Sequence, residues 1–93
     1  MNRVFGDHRP AVSSTKSMMG HLVAACGAVE AIVTALAVRE GVLPPTINLD
    51  TPDPECAVEH IPHAAREQTV QHALTNAFGF GGSNGSLLIS SWR

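Results

Sequence analysis

The sequence predicts an α/β fold with one long buried helix and a C-terminal antiparallel hairpin. An uninterrupted run of apolar and small residues at positions 17–39 predicts the helix. Two strand-like segments, 72–78 and 86–92, are joined by a glycine-rich stretch and predict the hairpin. The 93 residues contain no internal repeat and no low-complexity segment, so we expect no separate second domain.

The composition points to a surface that other protein covers. Charged residues make up only 15% of the chain, against an average near 25%. A small domain has much surface, so it would be expected to carry more charge than average. The net charge of −2 argues against a nucleic-acid partner and against a polybasic membrane contact.

The first element is predicted to be an entry loop over residues 1–11, followed by a possible short strand at 11–14. The long helix follows and is predicted to end before Gly41 and the Pro44-Pro45 pair. Arg39 would then lie in the last turn, where the helix dipole favours a cation.

The predicted helix is apolar on all sides, which indicates burial on all sides. Glu30 is the only formal charge between Ser17 and Val38. The length of the helix also permits a membrane span. A carboxylate and a histidine are costly in lipid, however, so we favour a helix buried in protein and expect no membrane contact. Small residues at three- and four-residue spacings predict a stripe for close packing: Gly20, Ala24, Gly27, Ala28, Ala31 and Ala35.

Residues 41–56 are proline-rich and predict a long surface connection. Residues 57–63 could hold a short edge strand, which Pro62 limits. The predicted hairpin then completes the chain.

Three ionisable residues accompany the predicted helix: Lys16 and His21 stand near its start, and Glu30 stands about two and a half turns beyond His21. One interpretation is structural, with Glu30 paired to an arginine and His21 a satisfied core histidine. The other is a site at the helix N-terminus that moves protons or polarises a carbonyl. In either case a carboxylate within an apolar helix needs a partner.

The stretch from Asn76 to Gly85 resembles a phosphate-binding loop only superficially. A GxGxxG motif starting at Gly79 would need glycine where Asn84 stands, and no helix follows, so the dinucleotide interpretation fails. A glycine-rich hairpin loop is one interpretation. The other is a gate over a pocket, formed by Phe80 between Gly79 and Gly81.

No metal or cofactor site is predicted. Cys26 and Cys56 lack CxxC spacing, and a buried thiol without an adjacent base is usually inert. The first dozen residues hold no apolar core of a secretory signal, so we expect a cytoplasmic protein. The remaining histidines lack ligand-like spacing: His8, His60, His63 and His72.

Three ordered motifs resemble those of β-ketoacyl-acyl-carrier-protein synthases, most closely the synthase-II type. They are SSTKSMMGH at 13–21 with GAVEA at 27–31, LPPTINLDTPDPEC at 43–56, and NAFGFGGSNGSLL at 76–88. The resemblance covers nearly the whole chain. It implies that residues 1–93 are a partial C-terminal domain of a thiolase-like layered fold.

The resemblance also implies roles for individual residues. His21 matches a catalytic histidine that hydrogen-bonds the malonyl thioester carbonyl, and Lys16 matches the supporting lysine. Glu30 matches a buried glutamate expected to pair with that lysine. Phe80 matches a gating phenylalanine whose N–H serves an oxyanion hole, in a loop with Phe78, Gly79 and Gly81.

The implied reaction is decarboxylative condensation of malonyl-carrier protein with an acyl thioester in fatty-acid elongation. The implied partners are acyl carrier protein, the N-terminal part of the synthase and a second copy in a homodimer. The family's nucleophilic cysteine and first histidine are not among these residues, so we expect the isolated chain to be inactive. A non-catalytic remnant, an assembly subunit and a polyketide-type synthase fragment remain alternatives.

Overall fold

The computed structural model describes residues 1–92, which divide into two compact units. The first unit contains Met1–Gly20 and Leu43–Arg66, and the second contains His21–Val42 and the described residues from Glu67 onward. The helices are α1 (Asn2–Phe5), α2 (Lys16–Met19) and α3 (Cys26–Glu40), with 3₁₀ turns at Val23–Ala25 and Phe80–Gly82. The strands are β1 (Ala11–Val12), β2 (Val42–Leu43), β3 (Glu59–His60), β4 (Arg66–Glu67), β5 (His72–Phe78) and β6 (Asn84–Ser90).

The first unit is organised around a short parallel pair of strands, β1 and β3. Ala11 lies opposite Glu59, and Val12 lies opposite His60. Ile61, which follows β3, donates its N–H to the carbonyl of Val12 at 3.3 Å and is only 3% exposed. The buried side chain of Ile61 therefore anchors the edge strand that the sequence predicted within residues 57–63.

The entry segment, predicted to be a loop over residues 1–11, contains one helical turn near its start. Residues Asn2–Phe5 form the single turn α1, and Gly6 donates its N–H to the carbonyl of Asn2 at 3.0 Å. The Asn2 amide and the Arg9 guanidinium both donate to the carbonyl of Ala57, at 3.0 and 2.8 Å. These long-range hydrogen bonds fix the position of the entry segment. No local sequence pattern predicts them.

The second unit consists of α3 lying against the β5–β6 hairpin. The strands are antiparallel, with His72 opposite Ser90 and Phe78 opposite Asn84. The prediction of a strand at 72–78 is confirmed, and the second strand runs two residues earlier than predicted. Half-buried side chains alternate with exposed ones in the first part of β5, and the half-buried residue of β6 lies opposite one of them, so this face of the hairpin meets α3. The half-buried positions are Ala73, Thr75 and Ile89.

The prediction of one continuous helix from residue 17 was wrong at its start. The chain forms the single turn α2, breaks, and begins α3 only at Cys26. Gly20 has a φ of 75° and Val23 a φ of 54°, and neither value fits a right-handed helix. The predicted C-terminus is confirmed, because Gly41 adopts the left-handed conformation and donates its N–H to the carbonyl of Ala37 at 3.0 Å.

Burial of α3 is one-sided within the described residues. Cys26 and Ala37 are its buried positions, at 7% and 8% exposure. Ile32 is 61% exposed and Leu36 is 42% exposed. Burial on all sides, as the composition predicts, would therefore need a further layer of protein. None of the helices in residues 1–92 combines the length and the hydropathy that crossing a membrane requires.

Candidate active site

His21 lies in the bend between α2 and the 3₁₀ turn, and its side chain is exposed. The N–H of Val23 donates to Nδ1 of His21 at 2.9 Å. A ring nitrogen that accepts a hydrogen bond carries no proton, so the neutral imidazole has its proton on Nε2. The backbone therefore fixes the tautomer and leaves Nε2–H as the donor that a ligand can use.

The turn that fixes His21 is strained. Val23 has a φ of 54°, in the left-handed region that β-branched residues avoid. Such a conformation costs about 1–2 kcal/mol per residue. Strained backbone concentrates at functional sites, where the surrounding structure maintains it. Here the strained residue is the one that donates to the histidine.

Glu30 is the fifth residue of α3 and is half-buried. The thiol of Cys26 donates to its Oε1 at 3.3 Å. The hydroxyl of Thr34 donates to its backbone carbonyl at 2.7 Å. Both neighbours are four residues away, on the same face of the helix.

Lys16 is the first residue of α2, in the first unit, and is half-buried. Its N–H lies 3.3 Å from Oγ of Ser14. The preceding residue, Thr15, is 8% exposed, so the backbone that carries the lysine is well anchored. The pairing of Lys16 with Glu30 stays a prediction.

The glycine-rich loop joins β5 to β6 and presents its aromatic side chains to solvent. Phe80 is fully exposed, at 100%, and Phe78 is 72% exposed. The N–H of Gly79 donates to the carbonyl of Ser83 at 2.6 Å, which closes the loop. Gly81 has a φ of 82°, inside the turn that follows Phe80. The exposed ring fits the gate interpretation, since it has room to move.

One contact of this site was not predicted from the sequence. Cys26 was expected to be an inert buried thiol, and it is buried, but it also donates to the Glu30 carboxylate. The i, i+4 spacing on a helix was the available signal. No sequence pattern predicted the tautomer of His21, because the tautomer depends on a local turn in which Val23 has an unusual φ.

Comparison with known proteins identifies the class to which this chain and its fold belong. Residues 1–50 of the 93 match the family model described as Beta-ketoacyl synthase, C-terminal domain. The chain therefore belongs to the β-ketoacyl synthase family.

A curated relative supports the same assignment. The chain is 48% identical over 92 residues to 3-oxoacyl-[acyl-carrier-protein] synthase 2 of Coxiella burnetii strain RSA 493. The match covers 97% of this chain and 22% of that relative. The chain thus spans about a fifth of the length of the relatives that it matches.

Solved ketosynthases have the same fold as this chain, which is part of the thiolase-like architecture. The ishigamide ketosynthase/chain length factor matches 99% of this chain and 23% of its own, with a TM-score of 0.95 and 36% identity. The AntDE:AntF structure is a type II polyketide synthase acyl-carrier protein in complex with its ketosynthase bound to the hexaketide. It matches 89% of this chain and 20% of its own, with a TM-score of 0.86 and 32% identity.

Proposed function

We propose that this chain forms part of a 3-oxoacyl-[acyl-carrier-protein] synthase of fatty-acid elongation. The reaction is the decarboxylative condensation of malonyl-carrier protein with an acyl thioester. The observation that carries the proposal is the hydrogen bond from the Val23 N–H to Nδ1 of His21. It leaves an exposed histidine with a single tautomer whose Nε2–H is a donor.

The proposed role of His21 follows from the charge that the reaction develops. Loss of carbon dioxide from a malonyl thioester leaves a pair of electrons that delocalises onto the thioester oxygen. A donor already oriented toward that oxygen stabilises the enolate without further reorganisation. The Nε2–H of His21 is that donor. The enolate carbon then attacks the acyl thioester and displaces its thiolate.

Lys16 and Glu30 are proposed to form the supporting pair of the site. An ion pair with the only lysine in the chain would satisfy the half-buried Glu30 carboxylate. The thiol of Cys26 already supplies one donor to that carboxylate. The ammonium of Lys16 would then be held in place next to the reacting groups.

The glycine-rich loop is proposed to control access to the site. The Phe80 side chain would close over an acyl chain bound in the site. Its backbone N–H would contribute to an oxyanion hole. The full exposure of the Phe80 ring supports this proposal, because the ring would then make its contacts only when an acyl chain is bound.

The remaining catalytic groups would come from protein outside these residues. The family's nucleophilic cysteine takes the acyl group from acyl carrier protein, and a further histidine assists. Neither is matched by a residue of this chain, so the isolated chain should not condense acyl groups. Acyl carrier protein carrying acyl or malonyl groups, the rest of the synthase and a second copy are the proposed partners.

A polyketide-type synthase is the second candidate. It is favoured by the match to the AntDE:AntF ketosynthase, which is described as part of a type II polyketide synthase. The two candidates share the decarboxylation step and differ in the chain that is extended. Condensation assays with saturated acyl and with poly-β-keto primers would separate them.

The proposal can be tested in a segment exchange. This chain would replace the matching segment of the Coxiella burnetii synthase, which is 48% identical, to give the exchange protein. We expect the exchange protein to decarboxylate malonyl-carrier protein. His21→Ala and Lys16→Ala should each lower that rate at least about a hundredfold, the scale expected for a lost charge-stabilising donor.

His8→Ala is the matched control, because His8 is also exposed and is not one of the proposed catalytic residues. Its decarboxylation rate should equal that of the unmodified exchange protein. A folded exchange protein without decarboxylation would instead favour the non-catalytic remnant. Equal rates for His8→Ala and His21→Ala would remove the proposed role of His21.

A further inference from the structure

Two hydroxyl groups join the lysine-bearing turn α2 to a distant segment of the first unit. The Ser17 hydroxyl donates to the carbonyl of Ser14 at 3.0 Å and accepts from the N–H of Ile47 at 3.0 Å. The Thr46 hydroxyl accepts from the N–H of Ser14 at 2.8 Å. The Ser14 backbone before Lys16 and the Ser17 side chain after it are therefore each hydrogen-bonded to a residue about 30 positions away.

The turn α2 needs such support because it is too short to be stable on its own. It has only four residues, Lys16–Met19, and its N-cap Thr15 makes no side-chain cap hydrogen bond. Isolated helices shorter than about 12–15 residues are marginal in water. The conformation of Lys16 must therefore be imposed by contacts from outside the turn.

Thr46 is well placed to impose the conformation of Lys16. Its N–H donates to the carbonyl of Ile61 at 2.8 Å, and its carbonyl accepts from the N–H of His63 at 3.2 Å. Ile61 is 3% exposed and belongs to the core of the unit. A β-branched side chain is also restricted in χ1, so the Thr46 hydroxyl is held in direction as well as in position.

We infer that Ser17 and Thr46 are positioning residues for Lys16. Their hydroxyls fix the backbone from which the lysine side chain extends, and so they fix where its ammonium can reach. The value of that position for catalysis rests on the proposed function, but the positioning itself does not. The two parts of the inference can therefore be measured separately.

The positioning is tested on the full chain by amide hydrogen exchange. The N–H of Gly20 bonds the Lys16 carbonyl at 2.8 Å and reports on the turn. Thr46→Val keeps the shape but removes the acceptor, and should speed exchange of the Gly20 amide at least about tenfold. Thr46→Ser keeps the acceptor and should restore slow exchange. Ser17→Ala should also speed exchange, and Ser17→Thr should restore it.

The hairpin amides are the internal control. Their exchange should be unchanged in Thr46→Val, because the effect is local to the turn. Acceleration of the Gly20 and hairpin amides by the same factor would show general destabilisation and overturn the inference. Unchanged exchange at Gly20 would overturn it as well.

The catalytic consequence is measured in the exchange protein. Thr46→Val should lower kcat at least about tenfold with KM unchanged, since the lysine is displaced but the acyl site is not. Thr46→Ser should recover most of kcat. Full activity in Thr46→Val, where Lys16→Ala is inactive, would overturn the inference. Full activity in Lys16→Ala would reject the proposed role of the lysine and leave the exchange data to decide the positioning.

Discussion

The thiol of Cys26 donates a hydrogen bond to the carboxylate of Glu30, with 3.3 Å between Sγ and Oε1. The two residues stand one turn apart on α3, and Cys26 is only 7% exposed. A half-buried carboxylate is costly unless donors surround it. The thiol is one such donor, in a helix that otherwise offers mainly alkyl side chains.

The first prediction is that removing this donor destabilises the fold. Cys26→Ala should lower the free energy of unfolding by about 1–2 kcal/mol, toward the lower end for a hydrogen bond to a charged group because a thiol is a weak donor. Cys26→Ser keeps a donor and should lose less. Urea unfolding of the full chain, followed by circular dichroism, measures the difference.

Cys56→Ala is the control for this prediction, because Cys56 is the other free cysteine and is exposed. Its stability should stay within about 0.5 kcal/mol of the original chain, as is usual for surface substitutions. If Cys26→Ala and Cys56→Ala unfold at the same urea concentration, the Cys26–Glu30 contact contributes nothing to stability.

The second prediction compares two glycines of the same helical segment. Gly41 has a φ of 67°, and an added Cβ would lie 3.4 Å from the carbonyl oxygen of Gln68. Gly41→Ala should therefore cost about 1–2 kcal/mol. Gly27 is the second residue of α3, with nothing within 4 Å of an added Cβ, so Gly27→Ala should stabilise by about 0.5 kcal/mol.

Thermal unfolding of the two variants checks this comparison, with the expected shifts in opposite directions. Gly41→Asn serves as the intermediate case, because asparagine tolerates the left-handed region better than alanine does. A Gly41→Ala variant as stable as the original chain would show that the helix ends without the left-handed cap.

The parts of the fold set by local pattern were predictable from the sequence. The strand at 72–78 and the helix end at Gly41 depend on side-chain preference and on glycine geometry, which the sequence displays directly. The break between α2 and α3 depends on positive φ values at Gly20 and Val23. A valine in that conformation contradicts its own preference, so only tertiary structure can select it.

For the candidate site, the sequence indicated which residues to propose but not their geometry. Motif resemblance singled out His21 without indicating which ring nitrogen would be protonated. That depends on the donor from Val23, two residues away in a strained turn. The hydrogen bond to the Thr46 hydroxyl was equally unpredictable, because hydrogen bonds between segments about 30 residues apart produce no periodic pattern in a sequence.

The third prediction concerns the outer face of the hairpin. Leu74 and Leu88 lie directly opposite each other and are 50% and 63% exposed. This face should bind a hydrophobic dye such as ANS. The double variant Leu74→Thr/Leu88→Thr should bind less dye and change the unfolding free energy by less than about 1 kcal/mol, since threonine suits a strand.

Ile89→Thr is the matched control for the outer-face prediction. Ile89 is half-buried on the face that meets α3, so the same polar replacement should cost about 1–2 kcal/mol. Dye fluorescence and urea unfolding are measured on the same samples. Undiminished dye binding in the double variant would place the accessible apolar surface elsewhere on the chain.

The fourth prediction separates stability from activity at the glycine-rich loop. Phe80 is 100% exposed, so Phe80→Ala should leave the unfolding free energy of the chain within about 0.5 kcal/mol. In the exchange protein the same change should slow condensation at least about tenfold, because the proposed gate no longer closes over the acyl chain. Trp92 is 99% exposed and lies outside the loop, which makes Trp92→Ala the matched aromatic control. Its condensation rate should be unchanged. If both variants condense at the original rate, Phe80 is a surface residue and the loop is a connection between strands, which was the other interpretation of its sequence.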